Sequence, residues 1–405
     1  MRLNRNLVDA VAWLRPVLFW AHLIVGVAAG AVILVMCVTG VALTYEKQIL
    51  EWADRRTLAM SSPAGIQPLS PETLLAAVAN AEPGTAPSSL TLRAGQSAPA
   101  TVGLEGGRSL LVDGPSGRVV GEASPGLRRF FRLMTNWHRW LALEGAGRTL
   151  GRAVTGAANL GFLFIVLSGL YLWVPRMPGW ARLRQVLWFR GGLPAKARHF
   201  NWHNVIGVWS ALPLALVIAG AVPISFGWAG DLVFRLAGEA PPAGAADRPV
   251  TGGARERRPS TSSPSASGLD GAVASALVLV PDWRTVSVRL STPEQPLTVV
   301  VDAAFGGQPQ YRTTFTVDRA TARVVRRETF DDLGTGRRWR SWLRFVHTGE
   351  YYGLAGQTLA GLVSAGGAVL VYTGIALSLN RLAAWRRRRA AAAGVVVDAG
   401  VIKLS

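Results

Sequence analysis

Four stretches without a single Asp, Glu, Lys or Arg constrain this chain more than any other feature: residues 17–45, 154–175, 203–228 and 357–380. Each reaches the roughly 20 residues needed to cross a hydrocarbon core about 30 Å thick. The chain therefore reads as a multi-pass integral membrane protein, and a soluble globular fold is excluded. Two long segments, 46–153 and 229–356, are left outside the spans.

The formal net charge of +19 invites a nucleic-acid reading, which the distribution of charge argues against. Segments 1–16, 176–202 and 381–405 would share one side of the membrane, and they hold 15 basic and 2 acidic residues. The two long segments hold 28 basic and 22 acidic residues. The arginines at 386–389 and the loop basic residues Arg182, Arg184, Arg190, Lys196 and Arg198 thus read as positive-inside determinants, and no nucleic acid is expected as a partner. Both termini are expected in the cytoplasm. Arg128, Arg129, Arg132, Arg139, Arg148 and Arg152 crowd the outer side of the second span and pull the other way. Cys37 is the only cysteine, so an intramolecular disulfide and cysteine-based metal sites are excluded. The first apolar run is too long for a signal-peptide core and reads as an uncleaved signal anchor.

Outside the spans, residues 70–80 open like a helix, with Pro71 at the first helical position and Leu74, Leu75 and Val78 at helical spacing. Strand-like runs follow at 89–93, 100–104, 109–112 and 118–120, with a turn at 114–117. The second long segment begins with a Pro/Ser/Gly/Ala-rich stretch at 240–268 that reads as a disordered linker. A helix is expected at 269–280, then strands at 286–290, 297–301, 313–317 and 323–325. The halves align as an internal repeat. Asp113, Arg118, Val119 and Val120 match Asp318, Arg323, Val324 and Val325 at an offset of 205. His138 and Gly147 match His347 and Gly356 at 209, and His22 and Gly26 match His203 and Gly207 at 181.

Only five histidines occur, His22, His138, His199, His203 and His347, all within or close to the spans. Ionisable groups in a membrane are costly and tend to mark function; an isolated one at an interface needs no more than a headgroup contact. Depth pairs them. His22 and His203 can meet near the inner leaflet, and His138 and His347 near the outer one. Two imidazoles from two helices at one depth make a bis-axial site for a haem iron. Gly26 and Gly207, one turn beyond their histidines, would leave room for a flat ring on the same helix face. His199, one turn before His203, is a further candidate ligand, a propionate partner or simply an interfacial residue. A His199/His203 zinc pair lacks any nearby Asp, Glu or Cys to complete it. The tryptophans around the histidines (Trp137, Trp140, Trp202, Trp209, Trp339 and Trp342) read as an interfacial belt.

The chain resembles the PepSY-associated transmembrane family of iron-regulated inner-membrane proteins, which includes ferrisiderophore reductases. The resemblance is carried by Trp137-His138-Arg139-Trp140-Leu141, by Trp202-His203-Asn204-Val205-Ile206-Gly207, and by the run from Val112-Asp113-Gly114-Pro115 to Arg118-Val119-Val120. It implies four transmembrane helices with two α+β PepSY-like extracytoplasmic domains in an internal two-fold repeat. The organisation is then a cytoplasmic N-terminus (1–16), span 1 (17–45), domain 1 (46–126), an outer interfacial helix (127–153), span 2 (154–175) and a basic loop (176–202). Span 3 (203–228), a periplasmic segment with the linker (229–268), domain 2 (269–332), an outer interfacial segment (333–356), span 4 (357–380) and a basic tail (381–405) complete it. By position His22, His138, His203 and His347 match the family's membrane histidines. The second unit departs from the pattern, since 318–323 lacks the Pro and Gly of the first turn.

The expectation is a bacterial inner-membrane oxidoreductase with two b-type haems. It would carry electrons from a quinol or a cytoplasmic reductase to a ferric siderophore or other ferric chelate outside, with Arg128, Arg129, Arg337 and Arg338 either attracting that anion or contacting lipid headgroups. The rivals are a non-enzymatic module that binds or restrains a periplasmic partner, and an accessory to iron-chelate transport.

Overall fold

A computed structural model of the chain describes residues 3–59, 68–95, 98–173, 180–242, 264–304 and 307–401. Most of the expected linker, 243–263, and the end of the expected second span, 174–175, lie outside the described residues. The first half runs α1 (Leu3–Leu43), α2 (Glu46–Ala59), α3 (Pro71–Ala81), β1 (Pro87–Arg93), β2 (Ala100–Leu104), β3 (Ser109–Val112), β4 (Val119–Glu122), α4 (Pro125–Trp140) and α5 (Gly147–Trp173). After α6 (Trp180–Leu187) come α7 (Ala195–Ser225), α8 (Gly227–Leu236), α9 (Leu269–Val278), β5 (Thr285–Arg289), β6 (Leu297–Asp302), β7 (Arg312–Val317), β8 (Val324–Glu328), α10 (Thr335–His347) and α11 (Gly353–Val401). Helices α1, α5, α7 and α11 are long and apolar enough to cross a membrane. The chain divides into two compact units.

The first unit, Met1–Val41, Thr135–Val222 and Leu359–Ser405, is a bundle of these four helices. Its buried centre is Ile33, Cys37, Ala158, Phe162, Leu214, Ile218 and Val363, drawn from all four. Lipid tails are as apolar as leucine, so helices in a membrane associate through close packing of small residues and through polar contacts. Both are present. A Cβ added at Gly161 would lie 3.1 Å from Val25, and one at Gly367 would lie 2.8 Å from the Cys37 sulfur. Asn159 Nδ2 donates to the Ile218 carbonyl at 3.1 Å, joining α5 to α7. On the far side of α6, Asn201 ties the connecting loop down, donating to the Gln185 and Trp188 carbonyls and accepting from the Arg190 N–H.

The second unit, Ala42–Met134 and Pro223–Thr358, centres on one antiparallel sheet of eight strands in the order β4-β3-β2-β1-β5-β6-β7-β8. The two strand-bearing segments were expected as separate domains; they share this sheet because β1 pairs with β5 in register, Leu90 opposite Val288 and Leu92 opposite Val286. The alternation that predicts strands also builds the core. Val102, Val286, Val299, Val301, Phe315 and Val317 point to one face and are fully buried beneath Leu74, Val78, Ala272 and Ala276 of α3 and α9. The two helices cap each other: Glu72 N–H donates to Asp270 Oδ1 at 2.8 Å, and Asp270 N–H to Glu72 Oε1 at 3.3 Å. Acidic groups at a helix start satisfy N–H donors that have no partner in their own helix. The opposite face carries Thr91 and Ser287, whose hydroxyls bond across the β1–β5 seam at 3.3 Å.

Candidate functional site: histidines in the helix bundle

His22 stands on α1 and His203 on α7, and the bundle brings their rings together. The ring centres are 6.5 Å apart and the ring planes cross at 82°. His22 Nδ1 lies 3.0 Å from Ser168 Oγ of α5. His203 Nδ1 lies 3.0 Å from Thr373 Oγ1 of α11. The next residue on each hydroxyl-bearing helix is glycine, and the imidazole rests against it: a Cβ at Gly169 would approach His22 Cε1 to 3.1 Å, and one at Gly374 would approach His203 Cε1 to 3.4 Å. All four helices therefore contribute, two with a ring and two with its support.

His138, near the end of α4, repeats the arrangement. Thr39 Oγ1 of α1 lies 3.0 Å from its Nδ1, and a Cβ at Gly40 would meet its Cε1 at 3.5 Å. The chain turns sharply just beyond, with Leu141 and Ala142 both at positive φ, 52° and 58°. L-residues avoid that region, and two contacts hold the turn. Gly151 abuts the Trp140 carbonyl, where a side chain would collide, and Thr155 Oγ1 donates to the Arg139 carbonyl at 3.1 Å. The guanidinium carbons of Arg139 and Arg148 each lie 4.7 Å from the centre of the Trp140 ring.

The remaining two histidines are placed differently. His347 is the last residue of α10 and belongs to the sheet unit. Close after it come Gly349, at φ +75°, and the buried Glu350, which pairs with Lys47 at 2.7 Å. His199 lies one turn before His203, edge-on to the Tyr372 ring at 5.5 Å, with its Nδ1 buried and without a hydrogen-bond partner among the described residues.

The separation of His22 and His203 suits two imidazoles sharing one metal ion. With a metal–imidazole bond of about 2 Å, two rings on opposite sides of one ion have centres roughly 6 Å apart. With Nδ1 tied to a hydroxyl, Nε2 is the nitrogen left on each ring. Among the described residues no three His, Cys, Asp or Glu side chains gather, so two imidazoles would need their other donors from a ligand such as a porphyrin, which brings four nitrogens.

Two readings of the sequence change. Gly26 and Gly207 do not open a slot beside the rings, since a Cβ at either would make ordinary contact with Ile165 (4.0 Å) or Leu370 (3.7 Å); the glycines facing the imidazoles sit on the neighbouring helices. Arg128 is a structural residue, because its guanidinium bonds the fully buried Asp54 carboxylate at 2.9 Å and the Ala123 carbonyl at 2.6 Å. Asp54 also accepts from Ser124 Oγ at 2.7 Å. The residues missed in sequence are Thr39-Gly40, Ser168-Gly169 and Thr373-Gly374, and a repeat offset marks two of these pairs without saying what they face. The last two stand at the same 205-residue offset as the strand–turn match.

The family described as the PepSY-associated TM region matches residues 19–381. The chain belongs to this family. The match reaches into all four long apolar helices and covers the eight described strands and every histidine, and with the apolar helices it establishes a membrane protein. Comparison with curated proteins gave no match.

Proposed function

We propose that this member of the PepSY-associated family is an inner-membrane oxidoreductase that passes electrons outward to iron held by a ferric siderophore or similar chelate in the periplasm. The observation that carries the reading is the His22–His203 pair, 6.5 Å apart and perpendicular, each ring anchored through Nδ1. Haem b, when bound, supplies a one-electron Fe(III)/Fe(II) couple whose potential depends on its axial ligands and burial. His22 and His203 would hold one haem through Nε2. His138 would hold a second, and His347 is its equivalent in the repeat. His199 is kept as a further cofactor contact. Burial among apolar helices keeps water from the iron.

The outward direction rests on the positive-inside pattern, which puts both termini and the His22 end of α1 in the cytoplasm. The donor there is a quinol or a cytoplasmic reductase. On the sheet unit, Arg337, Arg340 and Arg344 line one side of a groove of about 350 Å³ with Phe234, Leu333 and Phe345. Three guanidinium groups on an apolar wall suit an anionic chelate. We read the two halves as duplicated PepSY units, a reading supported by their equivalent turns. Asp113 N–H donates to the Arg118 carbonyl, and Asp318 N–H to the Arg323 carbonyl.

The deciding experiment is the absorption spectrum of detergent-purified protein, air-oxidised and then dithionite-reduced, with haem counted per chain. Sharp reduced α-bands with about two haems per chain are expected of a bis-histidine carrier. Protein that stays colourless after haem supplementation overturns the reading and favours the non-enzymatic module that binds a periplasmic partner.

A further inference from the structure

We infer that Ser168 and Thr373 are positioning residues that fix the tautomer of His22 and His203 and so hold the Nε2 lone pair ready for iron; the iron rests on the function proposed above. A hydroxyl has one hydrogen to give and two lone pairs with which to accept. Here the hydrogen has a destination in its own helix. Thr373 Oγ1 lies 2.8 Å from the Val369 carbonyl, and Ser168 Oγ 3.2 Å from the Ile165 carbonyl. A hydroxyl that donates there accepts from the ring. Nδ1 then carries the proton and Nε2 the free pair. With the proton on Nε2 instead, Nδ1 would need the hydroxyl's single hydrogen, and the hydroxyl would lose its carbonyl partner.

The relay has a second consequence. A hydroxyl that is donating to a carbonyl is a better acceptor than an idle one. A ring that gives its Nδ1–H to such an acceptor becomes a more basic ligand, as with the carbonyl and carboxylate partners of other metal-bound histidines. A more basic axial ligand favours the ferric state and lowers the potential. Glycine completes the cradle. With Gly169 and Gly374 the ring edge lies against helix backbone, where a Cβ would stand 3.1 to 3.4 Å from Cε1. The hydroxyl and the glycine are successive residues, so one helix turn sets both the ring's hydrogen bond and its tilt.

The test uses the full-length protein in detergent, comparing wild type with Ser168→Ala, Thr373→Val and Thr373→Ser. The control is Ser378→Ala, whose hydroxyl on α11 donates to the Gly374 carbonyl at 2.8 Å. Haem retention is followed by transfer to an apo-globin, and potentials by spectroelectrochemical titration. Ser168→Ala and Thr373→Val are each expected to weaken retention about 10–100-fold and to raise the potential of the inner site. Thr373→Ser should restore both, and Ser378→Ala should change neither. Unchanged retention and potential in Ser168→Ala and Thr373→Val overturn the inference. If wild type holds no haem, the proposed function fails, and ring-nitrogen NMR of ¹⁵N-histidine-labelled protein decides the relay by itself. A wild-type Nδ1–H tautomer that becomes mixed in the two variants supports it, and the same tautomer populations in all of them overturn it.

Discussion

Along the strands of the sheet unit, apolar and polar residues alternate, and the apolar ones meet in a single core under α3 and α9. In the bundle almost every residue of the spans is apolar, and polar side chains such as Ser168 and Thr373 face the histidine rings. The sheet unit draws its stability from area removed from water. The bundle has no such drive between its helices, and it spends its polar side chains on holding rings. If that contrast is right, damage to the polar exceptions of the bundle should abolish function and leave the fold, whereas damage to the sheet core should do the reverse.

The largest effect tests the first half of the contrast. His22→Ala or His203→Ala should each reduce haem from about two per chain to about one, read by pyridine haemochrome, while circular dichroism and the unfolding temperature of the sheet unit stay at wild-type values. A parallel collapse of the strand signal would show that the two units do not divide fold and function in this way. Next in size is Phe315→Ala. Phe315 is wholly buried in the sheet core, and its loss should cost about 3–5 kcal/mol in thermal or chemical unfolding followed by the strand signal. The haem spectrum of protein that remains folded should be unaltered. Smaller again is Asn159→Ala in the bundle. Its bond to the Ile218 carbonyl is interhelical and surrounded by apolar residues, yet such bonds in membranes average about 0.6 kcal/mol and reach about 1.7. A loss of several kcal/mol in the bundle's unfolding would mean that its polar contacts carry the fold after all.

The same contrast explains what was legible in the sequence. The strands at 100–104 and 109–112 and the helix opening at Pro71 were readable because alternation and capping are local signals. The four spans were readable from absent charge. The histidine pairing of His22 with His203 was readable from depth and repeat position, since few polar residues interrupt those helices. Their supports were not. Ser168, Thr373 and Thr39 are small polar residues of a kind common in membrane helices, and nothing in the sequence around them says which neighbour they face. Thr155-Gly156 shows the ambiguity, because the hydroxyl of the same dipeptide there donates to the Arg139 carbonyl and holds a turn. The joining of the two strand segments into one sheet was equally hidden, since antiparallel pairing of β1 with β5 leaves no mark on either strand alone.

The smallest effect compares the two turns of the sheet unit. Gly117, at φ +69°, has as its counterpart Ala322, at φ +54°. The second turn lacks the glycine its backbone calls for, and side chains make up the difference. Asp318 accepts from the Thr321 N–H at 2.8 Å and its hydroxyl at 2.7 Å, and Ser275 Oγ donates to the Ala322 carbonyl at 2.8 Å. A left-handed backbone costs an L-residue roughly 1–2 kcal/mol, while glycine loses about 0.5–1 kcal/mol more backbone entropy than alanine on folding. Ala322→Gly should therefore stabilise the sheet unit by about 0.5–1 kcal/mol. Gly117→Ala should destabilise it by more than that gain, because a Cβ there would also approach Leu69 to 2.9 Å. The bonds from Thr321 hold the Asp318 carboxyl below the usual carboxylate range. A carboxylate whose pKa falls on folding adds stability above its unfolded pKa and loses it as pH drops through the lowered folded value. Asp318→Asn should remove that acid-side dependence from the second turn. An Ala322→Gly variant less stable than wild type would show that the Ala322 methyl, packed against Gly271 of α9, matters more than the backbone it strains.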